Sequence, residues 1–127
     1  MVTWILWALI LAMLAWMGFN YLRIRRAAKI VDNEEFEALI RTGQLIDLRD
    51  PAEFHRKHIL GARNIPSSQL KTSLAALRKD KPVLLYENQR GQRVTNAALY
   101  LKKQGFSETY ILSYGLDSWK GKVKVEK

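Results

Sequence analysis

Glu87, Asn88, Gln89, Arg90, Gly91, Gln92 and Arg93 follow the apolar run Val83-Leu84-Leu85-Tyr86 and precede Val94. A strand that enters a helix through a tight polar loop is a cradle for an anion. The first-turn N–H groups of the helix have no intrahelical partner and point into the loop mouth, where the helix dipole adds partial positive charge. Arg90 and Arg93 add full charges. The group suited to chemistry in such a cradle is a cysteine thiolate, yet the chain contains no cysteine. Disulfides, thiolate metal sites and cysteine-based redox or transfer chemistry are thereby excluded within this chain.

Other residues that could do chemistry carry weaker signals. Asp47 and Arg49 stand at a strand end and look like a catalytic pair. His55 and His58 have His-x-x-His spacing, but no third ligand is near in sequence, so no metal site is expected. His58 reads as a loop histidine near the site mouth. Thr95 has no base placed to activate it, and helix capping is its simpler role. Asp32, Glu34, Glu35 and Glu37 form an acidic face suited to a helix N-terminus.

The elements that must position these residues follow from local pattern. Ile30-Val31 reads as a short strand. Asp32, with Glu35 three residues on, reads as a capping box opening a helix with Phe36, Leu39 and Ile40 on one face and Gly43 at its end. Leu45 to Leu48 is a buried strand, Pro51 to His55 a short helix, Ile59 to Ala62 loop and Asn64 to Pro66 extended. Ser67 or Ser68 is expected to cap a helix carrying Leu70, Leu74 and Leu77. Val94, Ala97, Ala98 and Leu101 give the helix after the cradle a narrow apolar stripe, closed by Gly105-Phe106. Tyr110 to Leu112 is the last strand, Tyr114-Gly115 a turn, Leu116 to Trp119 a short helix burying Trp119, and Lys120 to Lys127 a frayed tail. Strands alternating with helices predict an α/β fold with a mainly parallel sheet covered on both faces. Its ligands are expected beyond the C-terminal strand ends, where the loop after Tyr86 lies.

Residues Val2 to Leu22 contain no charge and are apolar on every face, long enough to cross a bilayer core. A signal peptide would carry its positive charge before the apolar run; here Arg23, Arg25, Arg26 and Lys29 follow it, so a retained anchor with a cytoplasmic C-terminal part is expected. The alternative is a buried core helix. The expected organisation is a transmembrane helix at 1–22, a basic juxtamembrane linker at 23–29 and a domain at 30–127. Of the net +9, four charges sit in that linker, where topology and anionic lipid explain them. The 17 basic and 12 acidic residues left for 30–127 are interspersed, with no basic helix face of the sort nucleic-acid binders show.

Three segments together resemble the rhodanese-like domain family over residues 30–121: Leu45 to Phe54 with His58 to Pro66; the strand-loop-helix with Gly91, Arg93, Ala97 and Ala98; and Gly105-Phe106 through Tyr110-Ile111-Leu112 to Gly115 and Trp119. The resemblance implies a central parallel sheet flanked by helices and, in active members, sulfur transfer through a loop cysteine that carries a persulfide. A class of protein phosphatases uses the same fold, also through a loop cysteine. It also implies that the Asp47-x-Arg49 turn is mainly architectural. The cysteine position corresponds to Glu87 if aligned through Tyr86, or to Asn88 if aligned through Gly91 and Arg93, and neither residue can form a persulfide. Glu87 either accepts loop N–H bonds or pairs with Arg90 or Arg93, plugging the cradle, or points into solvent.

The expected function is therefore a membrane-anchored, catalytically inactive rhodanese-like binding or scaffolding module. It would act through Glu87 to Arg93 on a cytoplasmic protein partner or small anion, without cofactor or nucleic acid. The alternatives are a non-catalytic sulfur-relay adaptor holding a cysteine-bearing partner, and an enzyme using Asp or Glu.

Overall fold

The computed structural model describes residues 2–125, the side chains of residues 24–27 excepted. A long helix α1 (Val2–Ala27) leads into β1 (Lys29–Val31), α2 (Asn33–Ile40), β2 (Gln44–Asp47), α3 (Pro51–Arg56), β3 (Lys57–Ile59) and β4 (Arg63–Asn64). Two 3-10 segments, Ser67–Gln69 and Lys71–Ala76, precede β5 (Val83–Tyr86), α4 (Gln92–Lys103) and β6 (Thr109–Leu112). A 3-10 turn (Leu116–Ser118) then leads to β7 (Val123–Val125). Five strands form a parallel sheet in the order β1-β6-β5-β2-β4, and β3 pairs antiparallel with β7.

All four β5 side chains are buried, as a central parallel strand requires. Successive residues face opposite sides of the sheet. Ile46, Val83, Leu85 and Ile111 pack with Val94, Ala97, Ala98 and Leu101 of α4 on one side. Leu45, Leu84, Tyr86 and Leu112 pack with Phe36 of α2 on the other. Both faces are thus covered, and the loops after β2, β5 and β6 meet at the C-terminal edge of the sheet.

The ends of the helices carry their expected chemistry. Asp32 Oδ1 accepts from Glu35 N at 2.9 Å. At the end of α4, Phe106 N reaches Leu101 O at 3.0 Å and Gly105 N reaches Lys102 O at 3.2 Å, with Gly105 at φ 93°. That is the Schellman pairing, and buried Phe106 packs back among the same residues as Leu101.

Four expectations need correction. The chain from Ser67 is not one capped helix but two 3-10 pieces without a side-chain cap. Thr72 Oγ1 donates to Gln69 O at 2.9 Å, a local bond that competes with a regular ladder, while Leu70 and Leu77 are nevertheless buried. Ile59 is in a strand rather than a loop, because Lys57–Ile59 pairs with Val123–Val125. The same pairing orders Val123–Val125 of the tail read as frayed; Glu126 and Lys127 lie outside the described residues. Trp119 is half-buried, edge-on to Phe36 with ring centroids 5.8 Å apart.

The span Val2–Arg23 is long and apolar enough to cross a membrane, and none of its most apolar stretch is buried against the domain. Trp4, Trp7 and Trp16 are each more than 60% exposed, which removes the core-helix alternative.

Candidate functional site

The cradle is built by β5, the loop after it and the first turn of α4. Gly91 is the N-cap of α4 and has no side chain with which to bond the helix N–H groups. Glu87, four residues earlier, supplies that oxygen: its Oε2 accepts from Val94 N, the third residue of the helix, at 3.0 Å. The carboxylate lies against Gly91, whose missing Cβ would sit 3.5 Å from Oε2. A side chain at the start of the loop thus occupies the anion position at the helix N-terminus. The solvent-pointing alternative for Glu87 fails. So does its pairing with arginine: among the described residues, ion pairs within 4 Å form only between Arg49 and Asp47 and between Arg78 and Asp80.

Arg90 and Arg93 do not converge on the loop mouth. Arg93 lines a cleft with Ser67, Ser68, Lys71 and Tyr100 on one side of α4, whereas Arg90 lines cavities with Tyr21 and Lys29 and with Tyr114 and Asp117. One residue is in the loop and the other is already in the helix, so the turn between them separates their directions.

Asn88 has a different task. Its Oδ1 accepts from Arg49 Nη1 at 3.0 Å and its Nδ2 donates to Glu53 Oε2 at 3.2 Å. Arg49 is itself clamped on Asp47, with Nη2 to Oδ2 at 2.8 Å and Nε to Oδ1 at 3.1 Å, and Nη2 also donates to the Lys57 carbonyl. Both members of the pair are buried. Burial disfavours the Arg49 charge, but hydrogen bonding to Asp47 and its negative charge outweigh that and raise the guanidinium pKa above its ordinary value. The pair joins the end of β2 to β3 and to the loop, and Asn88 carries the link on to α3, an architectural task. Arg49, Glu53 and Asn88, with Arg56, Lys57 and Asp117, surround a cleft of about 350 Å³.

Two contributors to the site are not apparent from sequence pattern. Gly115, at φ 71°, presses on the loop backbone, and the residues after it hold the loop carbonyls: Leu116 N donates to Glu87 O at 2.9 Å and Asp117 N to Asn88 O at 3.0 Å. Tyr86, at the end of a fully buried strand, accepts from Ile59 N at 3.0 Å through its hydroxyl. The only signal for it is a phenol in an otherwise aliphatic strand.

Tyr86→Phe is expected to cost about 1–3 kcal/mol, the penalty for a buried N–H left without its acceptor. Burial, and secondarily the charge of Asp47, push the Tyr86 hydroxyl above its ordinary pKa. Its neutral form is therefore favoured in the folded state. The stabilisation is complete below the unfolded pKa of about 10 and is lost as pH rises from there toward the folded value. Urea midpoints at pH 9 and 11 should fall more steeply for the wild type than for Tyr86→Phe.

The remaining candidates are structural. His58 is in β3 rather than a loop, with Nδ1 2.8 Å from Phe54 O and its ring stacked on Phe54 at 3.8 Å between centroids. Thr95 is not an N-cap: its Oγ1 donates back to Gly91 O at 3.1 Å. Among the described residues, no three His, Asp or Glu side chains cluster at metal-binding distance.

The family model of the rhodanese-like domain matches residues 32–122, most of the chain. The chain belongs to the rhodanese-like domain family. This rhodanese-like chain is 47% identical over 116 residues to the uncharacterized protein YqhL of Bacillus subtilis (strain 168), covering 91% of each. It is 37% identical over 93 residues to the thiosulfate sulfurtransferase GlpE of Stutzerimonas stutzeri (strain A1501), covering 72% of this chain and 84% of that protein. A crystal structure of a rhodanese-related protein from Thermoplasma volcanium superposes with a TM-score of 0.69 at 24% identity, over 77% of this chain and 99% of that one, a likeness of fold.

Proposed function

We propose that this protein is a single-pass, membrane-anchored rhodanese-like domain that recognises a partner instead of transferring sulfur. The observation that carries the reading is the Glu87 carboxylate bonded to Val94 N in a chain without cysteine. A transferring member of the family carries a loop thiolate, whereas this loop holds its own anion, fixed by the helix it caps. The outer face of the loop is open: Gln89 and Arg90 are exposed beside Tyr114, itself 68% exposed, and Asp117. Arg90 there suits an acidic segment of a protein partner or a small anion. The apolar span of α1 suits the anchor, and the basic residues at 23–29 support a domain on the cytoplasmic side by the positive-inside rule.

The likeness to a thiosulfate sulfurtransferase favours one class of partner, a cysteine-bearing sulfur-transfer protein held at the membrane. The full chain in mild detergent, given thiosulfate and cyanide, is expected to form no thiocyanate above the buffer rate. Cross-linking from membranes should capture a partner through the wild-type loop and lose it on Arg90→Gln. Turnover of thiosulfate that Glu87→Ala abolishes would overturn the reading and make the chain an enzyme.

A further inference from the structure

A cavity of about 720 Å³ lies where α1 meets the domain. Tyr21 of α1, Lys29 and Ile30 of β1, Arg90 of the loop, Thr95 of α4 and Ile111 of β6 line it, and α1 packs against α4 beside it. Its charge is one-sided. Among the described residues, no Asp or Glu lines it, and neither Lys29 nor Arg90 has a carboxylate within 4 Å. The cleft beside Arg49, by contrast, carries Glu53 and Asp117 as well as its cations.

The position of the cavity along α1 decides what those cations face. The 22 residues Val2–Arg23 rise about 33 Å as a helix, enough to cross a hydrocarbon core of about 30 Å. Tyr21, two residues from the end of that span, then sits at the membrane interface, where the aromatic hydroxyl belongs. The cavity it lines then falls at the depth of the headgroup layer, which is rich in phosphate. Thr95 Oγ1 already donates to Gly91 O, and Lys29 and Arg90 are the charged donors lining the cavity. Ile30 and Ile111 give it an apolar side that suits the glycerol end of a lipid.

We propose that this cavity seats the phosphate of an anionic membrane phospholipid, with Lys29 and Arg90 as its counter-charges. The proposal rests on the anchoring of α1 proposed above. It ties the recognition loop to the bilayer through Arg90, so that the loop reads partners close to the membrane surface.

The test uses the full chain in non-ionic detergent, with phosphatidylglycerol or phosphatidylcholine added and retained lipid counted by native mass spectrometry. One phosphatidylglycerol should be retained in preference to phosphatidylcholine. Lys29→Gln and Arg90→Gln should each lower its retention by roughly fivefold, the effect of one basic residue at an anionic surface. Lys124→Gln, exposed on β7, should not change it. Equal retention of the two lipids, or retention indifferent to Lys29 and Arg90, would overturn the lipid site and leave the anchor standing. Glycerol 3-phosphate retained as tightly with the same Arg90 dependence would make the cavity a soluble-phosphate site and also overturn it. A chain that stays in the aqueous pool without detergent would remove the anchor and this inference together.

Discussion

Arg49→Ala is expected to lower the stability of the domain by about 3–5 kcal/mol, the cost of breaking a buried ion pair by deleting one partner. The Asp47 carboxylate is fully buried and Arg49 only 4% exposed, so the intact pair is largely shielded from water. The deletion also removes the donors to Asn88 Oδ1 and to the Lys57 carbonyl, which releases the loop and β3 from the end of β2. Arg49→Lys should fall between, because an ammonium keeps the charge but not the planar fork that holds both Asp47 oxygens. Urea unfolding of the full chain in non-ionic detergent, followed by circular dichroism, reads the difference. A loss under about 1 kcal/mol would mean that the pair is solvated and does not organise the site.

Gly115→Ala is the second large effect, about 3 kcal/mol, from two sources that act together. Backbone at φ 71° and ψ −170° is a region open essentially to glycine, and strain there costs about 1–3 kcal/mol. An added Cβ would also run into the backbone carbonyl of Asn88, so the loop must shift before the alanine fits. Gly105→Ala is the control. It too has positive φ, but its Cβ would meet only the flexible end of Lys79, at 3.4 Å from Nζ, so strain alone should appear there. Equal effects at the two glycines would show that Gly115 does not hold the loop. Slower amide exchange at Leu116 in wild type than in Gly115→Ala would show that the bond to Glu87 O goes with it.

Much of this architecture is legible in the residues themselves. The unbroken apolar run Val83–Tyr86 is legible as a buried strand, and the Asp32 cap and the Gly105-Phe106 closure are local signals that meet their partners within a few residues. The buried leucines at 70 and 77 are legible too, but apolar spacing reports which residues face the core and not which hydrogen-bond ladder carries them. The pairing of β3 with β7 joins segments more than 60 residues apart and has no local signature. The loop shows the same division. Its composition marks an anion site, yet charge counting cannot give direction: Arg90 lines the spaces beside α1 and beside Tyr114, Arg93 the cleft beside the Ser67 segment, while the cradle is filled by a carboxylate. Glu87 reaches Val94 N with its carboxylate lying beside Gly91, a contact that appears only once the loop is closed.

The central claim is that Glu87 holds the anion position of the cradle, which turns a transferring loop into a recognising one. Sulfate titration of the full chain and of Glu87→Ala, followed through the amide resonance of Val94, tests it most directly. Wild type should show no saturable shift. Glu87→Ala should lose about 1–2 kcal/mol of stability with its helix cap and acquire a saturable sulfate site that moves the Val94 amide. Unchanged stability with no gain in sulfate affinity, or a wild-type chain that binds sulfate as tightly as the variant, would contradict the account.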